Sequence, residues 1–236
     1  MKTLPLPAVR ASRVVLDLLF PRWCIGCGKE GEFLCDSCLA TAEYTGVDTC
    51  PRCGRPITNS ANCNNCSHSE WIIDSIRAPF IFHGVIREAV HQFKYRNLRA
   101  LAPLFAISLY DCLKNKPFDI DVIVPVPLHS RRLRERGYNQ SALLAHELSR
   151  LLDIPCVENR LVRRIATPSL VSSASREARL ALVSQAFETR GGDFAGKHVL
   201  LVDDVSTSGA TFNACARVLR EAGAVKIHGI ALALEL

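Results

Sequence analysis

The sequence predicts an α/β fold with a mostly parallel open sheet and flanking helices, preceded by a small cysteine-rich module. Two observations support this prediction. Beyond residue 70, short apolar strands alternate with amphipathic helical patterns, the order that produces a parallel sheet. Before residue 70, eight cysteines form four CxxC pairs, a pattern typical of metal binding in a small module.

The predicted elements follow one another along the chain. In residues 1–20, four apolar residues fall near one helical face and predict a short docking helix. A strand or hairpin is expected in 73–82, buried strands in 119–128 and 197–204, and a final strand in 224–234. Helical patterns occupy 84–95, 98–113, 139–153, 176–187 and 211–223.

Length and charge set the organisation of the chain. Its 236 residues, 48% hydrophobic and 22% charged, are typical of a globular protein, and we divide them into a helical segment (1–20), a cysteine-rich module (21–70) and a larger domain (71–236). No apolar run of about 18 residues and no uncharged leader core is present, which favours a cytoplasmic protein without a membrane span. Residues 1–70 hold seven basic and seven acidic side chains, so the net charge of +6 lies in the larger domain. An anionic ligand is therefore expected there.

The CxxC pairs predict two structural zinc sites. Two thiolates at this spacing can bind one metal ion, and two such knuckles complete a tetrahedral site with no open position for water. Gly28 and Gly54 follow the second cysteine of their knuckles, where the backbone must be permissive. Sequential ribbons are preferred to a cross-braced pairing; redox dithiols and a disulfide knot are the alternatives to zinc. The ligands would be Cys24, Cys27, Cys35 and Cys38 for one site, and Cys50, Cys53, Cys63 and Cys66 for the other.

The stretch "VLLVDDVSTSGAT" (199–211) predicts a ligand site. Its apolar half is a buried strand, and its polar half would lie at the carboxyl end of that strand, beside a helix N-terminus, where a phosphate fits. Asp203 and Asp204 would repel a bare phosphate. They are suited to a ligand that also presents hydroxyls or a bound Mg²⁺ near its phosphate, such as a ribose 5-phosphate.

This stretch resembles the phosphoribosyl-pyrophosphate (PRPP) signature of type I phosphoribosyltransferases. With the CxxC pairs, "PVPLHSRRLRERGYNQS" (125–141) and "RRIATPSLVSSASREARLALVSQAF" (163–187), the chain resembles the ComF family from about residue 21 onward. In that family a zinc-ribbon module precedes a phosphoribosyltransferase-like domain, and some members are tied to DNA uptake. The resemblance implies a type I phosphoribosyltransferase fold that binds PRPP with Mg²⁺ through Asp203, Asp204, Val205, Ser206, Thr207, Ser208, Gly209, Ala210 and Thr211.

The resemblance also implies roles for arginines. Arg131 and Arg132 lie in the segment where type I enzymes hold pyrophosphate, a ligand suited to the bidentate guanidinium group. Together with Asp203 and Asp204 they form the predicted catalytic set; a solvated basic turn is the alternative. A flexible loop closes over the site in type I enzymes, and its candidate residues here are Arg163, Arg164, Arg176 and Arg179. Lys94 is a weaker candidate, because a lysine at a helix end is usually solvated.

The predicted reaction is transfer of a phosphoribosyl group from PRPP to an unidentified acceptor, with release of pyrophosphate. Hypoxanthine-guanine salvage enzymes have an aspartate where Thr207 stands, so 6-oxopurine salvage is disfavoured. The alternative is a non-catalytic adaptor or DNA-binding competence factor that uses PRPP as a signal. The balanced charge of residues 1–70 weakens direct DNA contact, so a protein partner is preferred for the zinc ribbons.

Overall fold

The computed structural model describes residues 21–57, 63, 66, 71–115, 117–165, 186–191 and 194–236. Within these residues, five parallel strands form the main sheet, in the order β1-β7-β6-β3, and β2 also pairs with β7. Strands β4 and β5 form a separate antiparallel pair. The strands are β1 Ser75–Arg77, β2 Phe80–Ile81, β3 Val122–Pro125, β4 Leu161–Arg163, β5 Phe187–Thr189, β6 His198–Ser206 and β7 Lys226–Leu234.

Helices α2, α3, α5 and α6 lie close to predicted patterns, whereas the short helices α1 and α4 were not predicted. Helix α2 spans the same twelve residues as its pattern, because Ile86, Ala89, Val90 and Phe93 form one buried stripe. The helices are α1 Asp36–Leu39, α2 Gly84–Tyr95, α3 Ala102–Lys114 (after a 3₁₀ turn, Arg99–Leu101), α4 Ser130–Arg136, α5 Gln140–Leu152 and α6 Ala210–Glu221. Among the described residues, no helix has both the length and the apolar character needed to cross a bilayer.

The sheet is covered on both faces. On β6, Leu200 and Val202 join the core that packs against α2, α3 and α5. The alternate residues, Val199 and Leu201, join the core that contains α6 and the β4–β5 pair. This alternation confirms the mostly parallel α/β sheet with flanking helices.

The cysteine-rich module packs directly on strands β1 and β2. The main-chain N–H of Ile76 donates to the carbonyl of Arg52 at 2.7 Å, and that of Ile81 donates to Glu43 at 2.8 Å. The ring of Tyr44 lies 5.0 Å from that of Phe80. These contacts join the module to the sheet through main-chain hydrogen bonds as well as side chains.

Two expectations differ from the structure or lie outside it. The 73–82 segment does not form a hairpin, because β1 and β2 both run parallel to β7. Phe187, expected at the end of a helix, instead begins β5 and pairs with Arg163. Residues 176–185 of that predicted helix, and the helical segment 1–20, lie outside the described residues. The boundaries between the three predicted segments of the chain remain predictions.

Candidate functional site

The acidic pair lies near the carboxyl end of β6, between β3 and β7. One carboxylate oxygen of Asp203 accepts hydrogen bonds from the Ser141 hydroxyl at 2.8 Å and from the Asp204 N–H at 2.9 Å. Ser141 is held in place because Asn139 caps the start of α5 and accepts from the Ser141 N–H. The acidic pair is therefore fixed by a helix start 62 residues earlier in the chain.

Burial and the neighbouring charge control the protonation of Asp203. Burial, followed by the negative charge of Asp204, raises the pKa of Asp203 to about 7, although the Ser141 hydroxyl and Lys94 act in the opposite direction. Lys94 provides the direct counter-charge, with its Nζ 2.8 Å from Asp204 Oδ1. A cation that binds beside Asp203 would favour its ionised form.

Lys94 is a site residue that the sequence reasoning undervalued. It lies in the last turn of α2, and its side chain is 18% exposed rather than solvated. The Tyr138 hydroxyl, which is buried before the start of α5, donates to the carbonyl of Phe93 and fixes this end of α2. A signal for Lys94 was present, because it lies four residues after Val90 and continues the buried stripe of the helix.

The segment after β6 forms a short loop that leads into the N-terminus of α6. Gly209 adopts φ of +79° at the N-cap of α6, and its carbonyl accepts from the Asn213 N–H at 2.9 Å. A Cβ at Gly209 would lie 2.6 Å from the Trp71 ring, so both conformation and space require glycine. Within the described part of the chain, the N–H groups of Ser208 and Gly209 have no hydrogen-bond acceptor. These groups and the α6 N-terminus can bind a phosphate.

The predicted arginines occupy different environments. Arg131 and Arg132 lie on helix α4 rather than in a turn; Arg131 is exposed and pairs with Glu135 at 2.9 Å, and Arg132 is half-buried. The pKa of Arg163 is lowered, first by burial and then by the charge of Arg132, whereas the charge of Asp203 acts to raise it. Arg163 therefore lies within electrostatic range of Arg132 and of Asp203.

Of the remaining loop candidates, only Arg164 is among the described residues, and it is not brought to the site. Arg164 forms an ion pair with Glu188 on the antiparallel β4–β5 pair, and its side chain is largely exposed. Arg176 and Arg179 lie outside the described residues.

The eight cysteines form two separate tetrads, grouped as sequential ribbons predict. The ligand sulfurs of each tetrad all lie within 4.8 Å of one another. Four sulfurs at about 2.3 Å from a zinc ion would lie about 3.8 Å apart. In the first tetrad the Cys27–Cys35 separation is 3.8 Å, and in the second the Cys50–Cys66 separation is 3.6 Å.

The local chemistry also fits a bound metal ion. Gly28 and Gly54 have φ of +71° and +72°, the left-handed geometry expected of the knuckles. Hydrogen bonds with neighbouring thiols, above all with that of Cys35, raise the pKa of Cys38 to about 12. The pKa of Cys53 is raised to about 11, and burial is the largest cause. Four thiols this close cannot all ionise without a cation, which a divalent metal would supply. The tetrads are consistent with two structural zinc ribbons.

Comparison with known proteins agrees with this architecture. The double zinc ribbon domain model matches residues 15–67, and the phosphoribosyl transferase domain model matches residues 138–235. Competence protein F of Haemophilus influenzae is 30% identical over 210 residues, which cover 85% of this chain and 90% of that protein. The chain belongs to the ComF family.

Other ComF relatives and solved structures extend the comparison. Competence protein ComFC of Bacillus subtilis is 28% identical over 205 residues, covering 83% of this chain and 81% of that protein. A purine phosphoribosyltransferase structure from Pyrococcus horikoshii is 21% identical, covers 56% of this chain and 71% of that chain, and has a TM-score of 0.36. The two matched domain models and the parallel sheet, rather than the Pyrococcus horikoshii structure, show that this ComF protein combines a double zinc ribbon with a domain of the type I phosphoribosyltransferase fold.

Proposed function

We propose that this ComF protein binds PRPP with Mg²⁺ and transfers its phosphoribosyl group to an acceptor, with release of pyrophosphate. The observation that carries the proposal is the fixed acidic pair at the end of β6, followed directly by a loop at a helix N-terminus whose Ser208 and Gly209 N–H groups have no acceptor among the described residues. The pair and the loop can bind opposite ends of one sugar phosphate.

Different residues of the site would bind different parts of PRPP. The loop of residues 206–211 would accept the 5-phosphate, with the Ser208 and Gly209 N–H groups as donors. Asp203 and Asp204 would orient the ribose by accepting from its hydroxyl groups, since Ser141 and Lys94 hold both carboxylates in place. Fixed carboxylates place the anomeric carbon without reorganisation during the reaction.

The transfer is a displacement at the anomeric carbon. The bond from C1 to the pyrophosphate oxygen breaks with its electron pair, and the nucleophile of the acceptor forms the new bond to C1. Asp203 and Arg132 both influence the pKa of Arg163, and we assign Arg132 and Arg163 to the departing pyrophosphate. Mg²⁺, bound with PRPP beside the two aspartates, would supply further neutralisation of the leaving charge.

The relatives suggest the cellular setting, and one residue of this chain limits the acceptor. Two proteins similar over most of the chain are named competence proteins, so we propose a role in DNA uptake in the cytoplasm, with the zinc ribbons as the docking site of a protein partner. Thr207 cannot act as a base toward a purine, so we do not expect a 6-oxopurine to be the acceptor.

Isothermal titration calorimetry with PRPP, with and without Mg²⁺, tests the proposal. We expect Mg²⁺-dependent binding that falls at least about tenfold, or roughly 1.4 kcal/mol, when Asp203→Asn and Asp204→Asn are combined. Asp111→Asn with Asp119→Asn is the matched control, because it removes the same charge from two exposed positions, one on α3 and one in the segment before β3. A wild-type protein without affinity for PRPP would refute the proposal.

Catalysis is tested separately from binding. Pyrophosphate release should be measured with PRPP, Mg²⁺ and a panel of nucleobases and amines. Release that depends on one acceptor, and that Asp203→Asn with Asp204→Asn abolishes, is the expected result. Binding of PRPP without release for any acceptor would instead support the non-catalytic alternative, in which PRPP is a signal.

A further inference from the structure

One side chain of the second zinc ribbon reaches the candidate phosphate loop. Arg55 follows the knuckle formed by Cys50 and Cys53, and its Nη2 donates to the carbonyl of Thr207 at 2.7 Å and to the carbonyl of Glu235 at 2.6 Å. The Glu235 N–H in turn donates to the carbonyl of Ser206 at 2.9 Å. The guanidinium group of Arg55 thus links Thr207, near the start of the loop, to Glu235, the residue after β7.

The knuckle that carries Arg55 is held rigidly against the sheet. The Gly54 N–H donates to the carbonyl of Cys50 at 2.9 Å, and the Cys50 N–H donates to the carbonyl of Arg55 at 2.8 Å. A Cβ at Gly54 would lie 2.5 Å from the carbonyl oxygen of Ile76, so the knuckle and β1 are in direct backbone contact. The knuckle therefore fixes where the Arg55 side chain begins.

A second residue beside this ribbon contacts the same loop. Trp71 packs against the buried cysteines of the second tetrad, and its ring also packs against Gly209. Its indole N–H is buried without a hydrogen-bond partner among the described residues. Trp71 is thus a built-in fluorescent reporter of the contact between the ribbon and the loop.

The geometry of a trans peptide gives this contact a direct consequence. The C=O and N–H groups of one trans peptide point in opposite directions, and the described residues contain no cis peptide. Because Arg55 holds the carbonyl of Thr207, the N–H of Ser208 must point away from Arg55. That N–H has no acceptor in the described part of the chain. A charged donor on the carbonyl also polarises the N–H on the other side of the same peptide.

We propose that Arg55 is a positioning residue for the phosphate loop, which turns the Thr207–Ser208 peptide so that the Ser208 N–H faces the 5-phosphate of the ligand. This inference rests on the proposed function for the identity of the ligand. The orientation of the loop in the free protein does not depend on that function. The second zinc ribbon thereby contributes to the sugar-phosphate site in addition to any partner it binds.

Three variants of the zinc-loaded full chain test the inference. Arg55→Met removes both hydrogen bonds, and we expect about tenfold weaker binding of PRPP and of ribose 5-phosphate. Binding of inorganic pyrophosphate should be unchanged, because that group does not occupy the loop; a general structural defect would weaken all three ligands. Arg55→Lys should show a smaller loss of about threefold, since one ammonium cannot reproduce the forked contact. Arg52→Met is the matched control, because Arg52 contacts Ile76 through its main chain.

Two readouts in the free protein separate this inference from the proposed function. In Arg55→Met, amide hydrogen exchange of peptides covering 203–211 should accelerate, and Trp71 emission should shift in a Trp23→Phe background. Unchanged exchange and unchanged affinity for ribose 5-phosphate would overturn the inference even if PRPP binds. If PRPP does not bind the wild type, the proposed function fails, and loop exchange alone decides whether Arg55 positions the loop. Should Arg55→Met lose zinc, the zinc-retaining Arg55→Lys decides instead.

Discussion

The ion pair between Lys94 and Asp204 should give the protein a pH-dependent stability that one substitution reveals. Lys94→Met keeps most of the length of the side chain and removes its charge. The two groups are 2.8 Å apart, with side chains 18% and 9% exposed. At an effective dielectric constant of about 20 their gross attraction is about 6 kcal/mol, most of which offsets the loss of hydration. Removing one partner of a fully buried pair costs about 3–5 kcal/mol, so for this slightly exposed pair we expect about 2–3 kcal/mol at pH 8.

The cost should be smaller in acid. The pKa of Asp203 in the folded protein is about 7, above its ordinary value of 3.8, so the contribution of this group to stability is complete below about pH 4 and is lost as the pH rises through about 7. Lys94 lowers that pKa, and its removal raises it further. At pH 5.5 a proton on the acidic pair can replace the missing cation, so we expect Lys94→Met to cost only about 1 kcal/mol there.

Urea unfolding followed by circular dichroism at pH 5.5 and pH 8, in zinc-containing buffer, measures both values. Lys114→Met, at an exposed position in the last turn of α3, is the control and should change stability by less than about 0.5 kcal/mol at either pH. Adding Asp204→Asn to Lys94→Met should recover most of the loss at pH 8, because the carboxylate that Lys94 neutralised is removed together with the lysine. An equal loss at both pH values, or no loss at all, would refute the electrostatic reasoning.

Two further predictions concern the loop and the tetrads. Gly209→Ala should lower the free energy of unfolding by more than about 2 kcal/mol and weaken PRPP binding, because the new Cβ would combine a positive φ with a clash against Trp71. Gly196 also has a positive φ, of +71°, but open space around it, so Gly196→Ala is the control and should cost only about 1 kcal/mol. Thermal unfolding measures both values. Elemental analysis should find about two zinc ions per chain, and one in Cys27→Ser or Cys53→Ser, because the tetrads are separate; loss of both ions in either single variant would contradict that independence.

The parts of the structure that the sequence predicted well are those encoded within one continuous segment. The stripe of Ile86, Ala89, Val90 and Phe93 needs only the helical period, and it places α2 at its observed bounds. The acidic pair and the following loop are likewise contiguous, so strand, turn and helix start could be recognised together. Short CxxC spacing similarly limited the cysteine grouping to a few alternatives, of which the sequential one is observed.

The parts that were missed depend on contacts between distant segments. Lys94 lies 110 residues before Asp204 in the sequence, and the residue pattern at the end of a helix does not indicate which carboxylate a lysine there will contact. Phe187 is the last residue of a clear helical pattern, but its pairing with Arg163 places it in a strand. Strand pairing here overrides the local periodicity of the sequence. Arg55 and Thr207 are separated by 152 residues, and no spacing rule connects them.

The contact of Arg55 also limits how strongly the zinc ribbon and the phosphate loop can influence each other. The described hydrogen bonds to Thr207 and Glu235 are charge-assisted and together worth about 1–3 kcal/mol. If PRPP binds as proposed, a partner or metal that altered the second ribbon through this side chain would change PRPP affinity by about 5-fold to 150-fold, and PRPP would change the affinity of the ribbon for that partner by the same factor. Coupling of this size adjusts binding across a range of PRPP concentrations, and it is too small to switch the site completely on or off.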